Sequence, residues 1–273
     1  MVAALSLGEP LRRGLFRRGV PVEGRWIRVG REGRYLLVTA RPDKRGELDW
    51  EGIRDLAGRA AGRMLLPRGL APPRWTGIRP FEGCLLGQEL MAVTAAVLLR
   101  DATQPPRRLP VAIWDPRGRM PQLAFALLPY TSNLQVITGA PRRYEEAQGQ
   151  AMQRYGASFA VTGDFACARR AALLLAPDGL YGEQPPGRAL VLSGVPETGR
   201  GVVGGYVPQA PAAWLSACPP GCDPWLFLSA MHEWGGLRGL LSRPPSALWM
   251  EGRAVRLQDA VCRLAGLDIG ISV

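Results

Sequence analysis

Lysine and histidine are almost missing from this 273-residue chain, in which Lys44 is the single lysine and His232 the single histidine. General acid–base catalysis most often relies on such side chains or on paired carboxylates, which are also scarce here. A Ser–His–Asp or Cys–His arrangement would have to use His232. Because His232 lies in an apolar segment, we interpret it as a packed helix residue. These shortages argue against a catalytic role.

Several other features are lacking. No stretch reaches the roughly 18 apolar residues that span a bilayer, and Glu9 and Pro10 interrupt the short apolar run that a secretory signal would need. Neither a P-loop nor the His-Glu-x-x-His and Gly-x-Ser-x-Gly patterns are present, and there is no internal repeat. The cysteines are odd in number, which favours a reducing compartment: Cys84, Cys167, Cys218, Cys222 and Cys262. We expect a cytoplasmic protein without a transmembrane segment.

Positive charge is abundant, because the formal net charge is +11 and nearly all of it comes from arginine. A basic protein favours anionic partners such as nucleotides, nucleic acid or a membrane surface. The arginines are scattered, however, and an excess of arginine over lysine is also typical of GC-rich genomes. The pairs Arg12/Arg13 and Arg17/Arg18 fit either a short basic helix or a solvated tail. We expect nucleic acid to be the least favoured partner.

The pattern of apolar residues predicts four parts: a basic tail over residues 1–24, a small α+β domain over 25–102, a Rossmann-like domain over 109–208, and a helical segment over 210–273. In the second part we expect a hairpin at 26–29 and 35–39, a helix at 48–61, a short strand at 63–67 and a buried helix at 82–101. Residues 103–108 read as a linker, and 224–241 and 255–264 as C-terminal helices.

Strands and helices alternate regularly between residues 109 and 208. Strands are expected at 111–114, 134–138, 158–162, 172–176, 189–193 and 202–207, and helices at 120–130, 141–155 and 165–170. A spacing of about 25 residues from strand to strand is what parallel pairing through a crossover requires. The predicted class is therefore α/β, with a Rossmann-like, mostly parallel sheet, a smaller N-terminal α+β unit and a helical C-terminal tail.

Ligands of such sheets bind beyond the carboxyl ends of the strands, and the first strand–helix turn holds the phosphates. Here that turn begins at Asp115 and contains one glycine, Gly118, where the dinucleotide fingerprint needs three small residues. Arg119 and its neighbour Arg117 supply charge in place of close backbone contact. The alternative is that the turn only connects two elements.

The second strand ends at Thr138, and Arg142 and Arg143 follow four and five residues later, with no acidic residue before Glu145. An arginine at this position usually contacts the 2′-phosphate of NADP. Residues 109–208 resemble the NADP-binding domain of shikimate dehydrogenase-like reductases, which shares this polar turn with arginine and the later Pro-Gly turn between strands. The resemblance implies an NADP cofactor held by the predicted site residues: Asp115, Gly118, Arg119, Thr138, Arg142 and Arg143.

The chain departs from that family in two places. Its glycine-rich turn is degenerate, and the catalytic Lys–Asp pair of the family's substrate domain has no matching context at Lys44. Asp43 and Asp49 fit turn and helix-cap roles equally well. No catalytic residue is therefore assigned.

Cys218 and Cys222 have neither the spacing nor the further ligands of a zinc site, so no metal is expected, and they also lack the spacing of a redox pair. The eight tryptophans do not alternate with basic residues as in a single-strand platform, and we interpret them as core residues. Three functions stay open. A non-catalytic Rossmann-like binding or scaffold protein with a degenerate nucleotide site is favoured, with a nucleotide or a protein as its partner. An NADP-linked reductase comes second, and a binder of nucleic acid or anionic surfaces third.

Overall fold

The computed structural model describes residues 1–9, 22–102, 109–185, 187–237 and 239–264, and it confirms the α/β class. The strands are β1 (Ala3–Leu7), β2 (Val22–Val29), β3 (Gly33–Ala40), β4 (Val111–Trp114), β5 (Leu134–Ile137), β6 (Ala160–Thr162), β7 (Leu173–Ala176), β8 (Leu190–Ser193), β9 (Val202–Val207), β10 (Ala247–Met250) and β11 (Arg253–Val255). The helices are α1 (Trp50–Ala57), α2 (Leu85–Asp101), α3 (Pro121–Leu127), α4 (Glu145–Tyr155), α5 (Ala212–Leu215), α6 (Pro224–Glu233) and α7 (Leu257–Leu264).

The chain divides into two compact units. Unit 1 comprises Met1–Gly83 and Ala210–Leu240, and unit 2 comprises Cys84–Gln209 and Leu241–Val273. Each unit therefore combines two separate stretches of sequence. The stretch that follows β9 contributes first to one unit and then to the other.

Unit 2 is built on an eight-stranded sheet in the order β11-β10-β9-β8-β7-β4-β5-β6. The strands β4 to β9 pair parallel, and β10 and β11 extend the sheet in antiparallel fashion. Ile113 in β4 is level with Val136 in β5 and Leu175 in β7. These strands are short and almost wholly apolar because parallel strands are buried on both faces.

Helices cover the sheet of unit 2. The helix α2 packs on β8 and β9 and contacts α7, and nine of its residues are buried. Ala112 in β4, Leu174 in β7 and Val191 in β8 form one core cluster with Ala168, which lies in the 3-10 helix Phe165–Arg170. Successive strand residues point to opposite faces, so this cluster belongs to one face of the sheet.

Unit 1 contains a three-stranded sheet in the order β1-β3-β2, in which β2 and β3 form the predicted hairpin and β1 runs parallel to β3. The helix α1 packs on β2 and β3. The C-terminal part of the unit is joined to β3 through Tyr35, whose hydroxyl donates to the carbonyl of Ala217 at 2.7 Å and whose ring meets Phe227 edge-on. Asp223 caps α6 by accepting the N–H of Trp225.

Several predicted elements need correction. Residues 1–24 are not only a tail, because β1 lies within them, whereas Arg12, Arg13, Arg17 and Arg18 and the linker 103–108 lie outside the described residues. The strand expected at 63–67 consists of isolated bridges at Met64 and Leu65. The segment 210–273 is not simply helical, since β10 and β11 complete the large sheet. The helix expected at 224–241 ends at Glu233, because Gly235 and Gly236 follow, the latter with a positive φ of 86°.

The tryptophans also depart from expectation. Four of them are well exposed, so core packing does not account for them: Trp26 (52%), Trp75 (65%), Trp234 (39%) and Trp249 (49%). The other four are half-buried. An amphipathic indole tolerates a partly exposed position, which composition alone does not reveal.

Candidate functional site

The strand order of unit 2 indicates where a ligand site would lie. Numbered from β4, the parallel strands follow the order 3-2-1-4-5-6, which is the order of dinucleotide-binding Rossmann sheets. The order reverses between β4 and β7, and ligands of such sheets bind at this reversal, outside the carboxyl ends of the strands. Asp115 follows β4, Thr138 follows β5 and Asp178 lies two residues after β7. The topology therefore brings the predicted site residues to one edge.

Asp115 is buried, with 1% of its surface exposed, and its carboxylate is fully engaged. Oδ1 accepts the N–H of Arg119 at 3.0 Å, and Oδ2 accepts the N–H of Met120 at 2.8 Å and the hydroxyl of Tyr144 at 2.6 Å. Burial, and then the bond to the Asp115 carboxylate, raise the pKa of Tyr144 well above its ordinary value. The carboxylate of Asp115 thus binds the backbone N–H groups of the first strand–helix turn.

Gly118 adopts a positive φ of 62°, a conformation that a residue with a side chain rarely takes. A Cβ at this position would lie 3.0 Å from both the Cβ of Ala140 and the Cδ of Arg143. These two side chains occupy the space directly beside Gly118. The turn therefore has the glycine without the open space beside it.

Thr138 is also buried and turned inward, since its Oγ1 accepts the N–H of Ala140 at 3.1 Å. Arg142 and Arg143 differ from it because both are exposed. They lie in the 3-10 helix Pro141–Tyr144, directly after Gly139 and Ala140, and neither forms an ion pair within the described part of the chain. Of the six predicted residues, Arg119, Arg142 and Arg143 are the ones that solvent reaches.

Sequence reasoning missed the loop after β7. The amide of Gln88, on α2, donates to Oδ1 of Asp178 at 2.9 Å, and Nη1 of Arg119 lies 3.6 Å from Oδ2 of the same carboxylate. Only 8% of the Asp178 side chain is exposed. The available signal was an acidic residue just beyond a predicted parallel strand, in the sequence Pro-Asp-Gly.

Tyr181 lies in the same loop with a positive φ of 53°, and the guanidinium of Arg117 lies 5.1 Å from its ring centroid. Slight burial, and then the neighbouring charge of Asp178, raise the pKa of Tyr181. Positive φ in a bulky residue is uncommon and concentrates at functional positions. Arg117 and Tyr181 therefore mark the solvent side of the reversal point.

The end of β8 is closed as well. The hydroxyl of Ser193 donates to the carbonyl of Val195 at 2.8 Å, so it is engaged in the local turn. A Cβ on Gly194 would lie 2.2 Å from the carbonyl oxygen of Pro177, so only glycine fits between the two loops. Glu197 accepts the N–H of Leu180 at 3.2 Å. Side chains of this edge mostly hold loops in place.

The other sequence candidates have structural roles. Oδ1 of Asp43 accepts the N–H groups of Arg45 and Glu47, which lower its pKa, and Asp49 caps α1 through the N–H of Gly52. Lys44 is exposed in the same turn.

Cys218 and Cys222 are thiols rather than a disulfide, and burial is the main cause of their raised pKa values, about 12 for Cys222. Nδ1 of His232 lies 3.1 Å from the carbonyl oxygen of Leu237. Among the described residues no three His, Cys, Asp or Glu side chains meet as a metal site would need. Within the same residues, every helix is too short or too polar to cross a bilayer.

No protein-family model, curated protein or solved structure matches the chain. The resemblance to shikimate dehydrogenase-like reductases therefore stays an expectation from the sequence.

Proposed function

We propose that unit 2 is a non-catalytic Rossmann-like binding or scaffold protein whose dinucleotide position is closed by its own side chains. The observation that supports this is the carboxylate of Asp115, which takes the N–H groups of Arg119 and Met120 together with the hydroxyl of Tyr144. In a dinucleotide site, backbone N–H groups of this turn bind the pyrophosphate. Here they already have an anionic acceptor, and its negative charge disfavours a second anion beside it.

The groups that remain at the edge favour binding over catalysis. Burial and Asp115 keep the phenol of Tyr144 protonated, and the hydroxyl of Ser193 is engaged by a carbonyl. Arg117, Arg142 and Arg143 are exposed and carry fixed positive charge. An anionic partner would meet side chains at this edge instead of a backbone cradle.

The test is a titration of the full chain with NADPH, NADP, NADH and ATP, followed by tryptophan fluorescence and melting temperature. We expect no response up to about 1 mM, because the side chains at the turn close the site. Binding would be visible, since a ligand at 100 times its Kd would add about 2.7 kcal/mol to the free energy of unfolding and shift the melting temperature by several degrees. Saturable binding of any of these ligands would contradict the closed site.

An NADP-linked reductase is the second candidate, and the exposed pair Arg142 and Arg143 favours it. The pair directly follows β5 and its turn, where the 2′-phosphate of NADP lies in related sheets. If the protein is such a reductase, NADPH binds more tightly than NADH, and the double variant R142Q/R143Q abolishes that preference. The double variant R169Q/R170Q, an exposed arginine pair in another segment of unit 2, is the matched control. Equal binding of the two cofactors, or none, excludes the second candidate.

A further inference from the structure

Unit 1 contains a cavity of about 430 Å³ that no predicted site residue lines. Its walls come from three places in the sequence: residues 62–63, residues 79–82, and Glu233 with Trp234 at the end of α6. The first two segments run side by side, because the N–H of Met64 donates to the carbonyl of Arg79 and the N–H of Phe81 to that of Met64. The volume lies within the range of small-molecule sites.

Arg63 is the most constrained polar group of this cavity. Its guanidinium carbon lies 3.4 Å from the ring centroid of Trp234, a stacked arrangement that fixes the plane of the guanidinium. Its Nε is buried and has no hydrogen-bond partner in the part of the chain that the structure describes. A buried donor without an acceptor is costly, and native structures seldom leave one unless a water, an ion or a ligand completes it.

Arg79, Glu82 and Glu233 carry the other charges of the wall. Within the described ranges, none of these three side chains nor that of Arg63 forms an ion pair. The lining thus offers two positive and two negative groups. A polyanion such as a polyphosphate would be repelled by the two carboxylates, whereas a molecule carrying one charge of each sign would complement the wall.

We propose that this cavity binds a small zwitterion that carries a carboxylate and an ammonium group, of the size of a free amino acid or a dipeptide. The carboxylate accepts hydrogen bonds from the guanidinium groups of Arg63 and Arg79, a geometry that arginine favours. The ammonium group is neutralised by Glu233. The apolar part of the ligand packs against Pro80 and Phe81, of which Phe81 is buried. This inference concerns unit 1 and does not depend on the function proposed for unit 2.

The experiment screens the full chain by ligand-observed NMR against free L-amino acids and simple dipeptides, and measures hits by calorimetry. For each hit, the N-acetyl and C-terminal amide derivatives remove one charge at a time, and inorganic phosphate is the anion-only probe. We expect each derivative to bind at least about tenfold more weakly, the equivalent of one lost charged contact. Binding of phosphate as tight as that of the best zwitterion, or no hit in the panel, would overturn the proposal.

Three variants locate the site. We expect R63Q to weaken binding of the carboxylate and E233Q to weaken binding of the ammonium group, each by at least about tenfold. R59Q is the matched control, because Arg59 is an exposed arginine of the same unit that does not line the cavity. If R63Q fails to fold, E233Q carries the test alone, since Glu233 has no ion-pair partner to lose among the described residues. Unchanged affinity in E233Q would contradict the proposed site.

Discussion

The carboxylates of Asp115 and Asp178, at the carboxyl edge of the sheet in unit 2, have partners in the fold, whereas those around the cavity of unit 1 form no ion pair with the described residues. Buried atoms without a hydrogen-bond partner among the described residues occur in both places: Oδ2 of Asp178 and Nε1 of Trp114 in unit 2, and Nε of Arg63 in unit 1. Asp115 engages two N–H groups and a hydroxyl, and Asp178 is held by Gln88. In unit 1, Glu233 lines open space without an ion pair to the described residues. The fold alone predicts a site at the first place and nothing at the second. The contrast teaches that a carboxylate engaged by its own fold stabilises that fold, whereas one that faces open space is available to a charged ligand.

The largest expected effect lies at Asp115. Because D115A leaves two N–H groups and the Tyr144 hydroxyl without their acceptor, we expect the free energy of unfolding to fall by about 3–5 kcal/mol. D115N keeps one acceptor oxygen and is expected to lose less. Chemical denaturation of the two variants beside the parent chain measures both values. A loss below about 1 kcal/mol in D115A would mean that the edge is not held closed by this carboxylate.

Gly194 provides the next test, because a Cβ there meets the backbone oxygen of Pro177 and cannot be relieved by a rotamer change. We expect G194A to lower the free energy of unfolding by about 1–3 kcal/mol. G149A is the matched control in the same unit, since nothing lies within 4 Å of its Cβ position. Inside α4, that alanine is expected to raise stability by about 0.5–1 kcal/mol. Equal effects in the two variants would show that β8 and the loop after β7 are not closely apposed.

Tyr144 adds a pH dependence to the closed edge. Y144F is expected to lower the free energy of unfolding by about 1–2 kcal/mol at neutral pH, because a buried oxygen of Asp115 loses a donor. The pKa of Tyr144 is raised in the folded state, so its contribution is present below pH ~10 and is lost as the pH rises above that value. Alkaline melting curves should therefore fall less steeply for Y144F than for the parent chain. Parallel curves would contradict the assignment.

The sheet of unit 2 was largely predictable because its signals are local. Runs such as residues 111–114 and 172–176 are short and apolar, and their spacing requires crossovers, so parallel pairing follows from the sequence. The strand β1 was missed because its five residues precede an arginine-rich stretch that reads as a tail. The strand β10 was missed because it pairs with β9, some 40 residues earlier in the chain, and β11 was missed because it pairs with β10.

The decisive features of both places are non-local. Gln88 and Asp178 are 90 residues apart, and no sequence pattern in either segment predicts the hydrogen bond between them. Ala140 closes the turn at Gly118 only because β4 and β5 are neighbours. The cavity joins segments that are about 150 residues apart in sequence, so Arg63 and Glu233 carry no shared motif. The sequence contains these residues but not the contacts between them.

The smallest expected effect belongs to Glu233, and it sharpens the comparison most. Glu233 ends α6, where a negative charge opposes the helix dipole, and it has no ion pair with the described residues to lose. We therefore expect E233Q to change the free energy of unfolding by no more than about 0.5 kcal/mol, in the stabilising direction. Chemical denaturation in low and high salt measures it, because a dipole effect shrinks with screening. A loss above about 1 kcal/mol would mean that this carboxylate has a structural partner, and the cavity wall would then resemble the closed edge of unit 2.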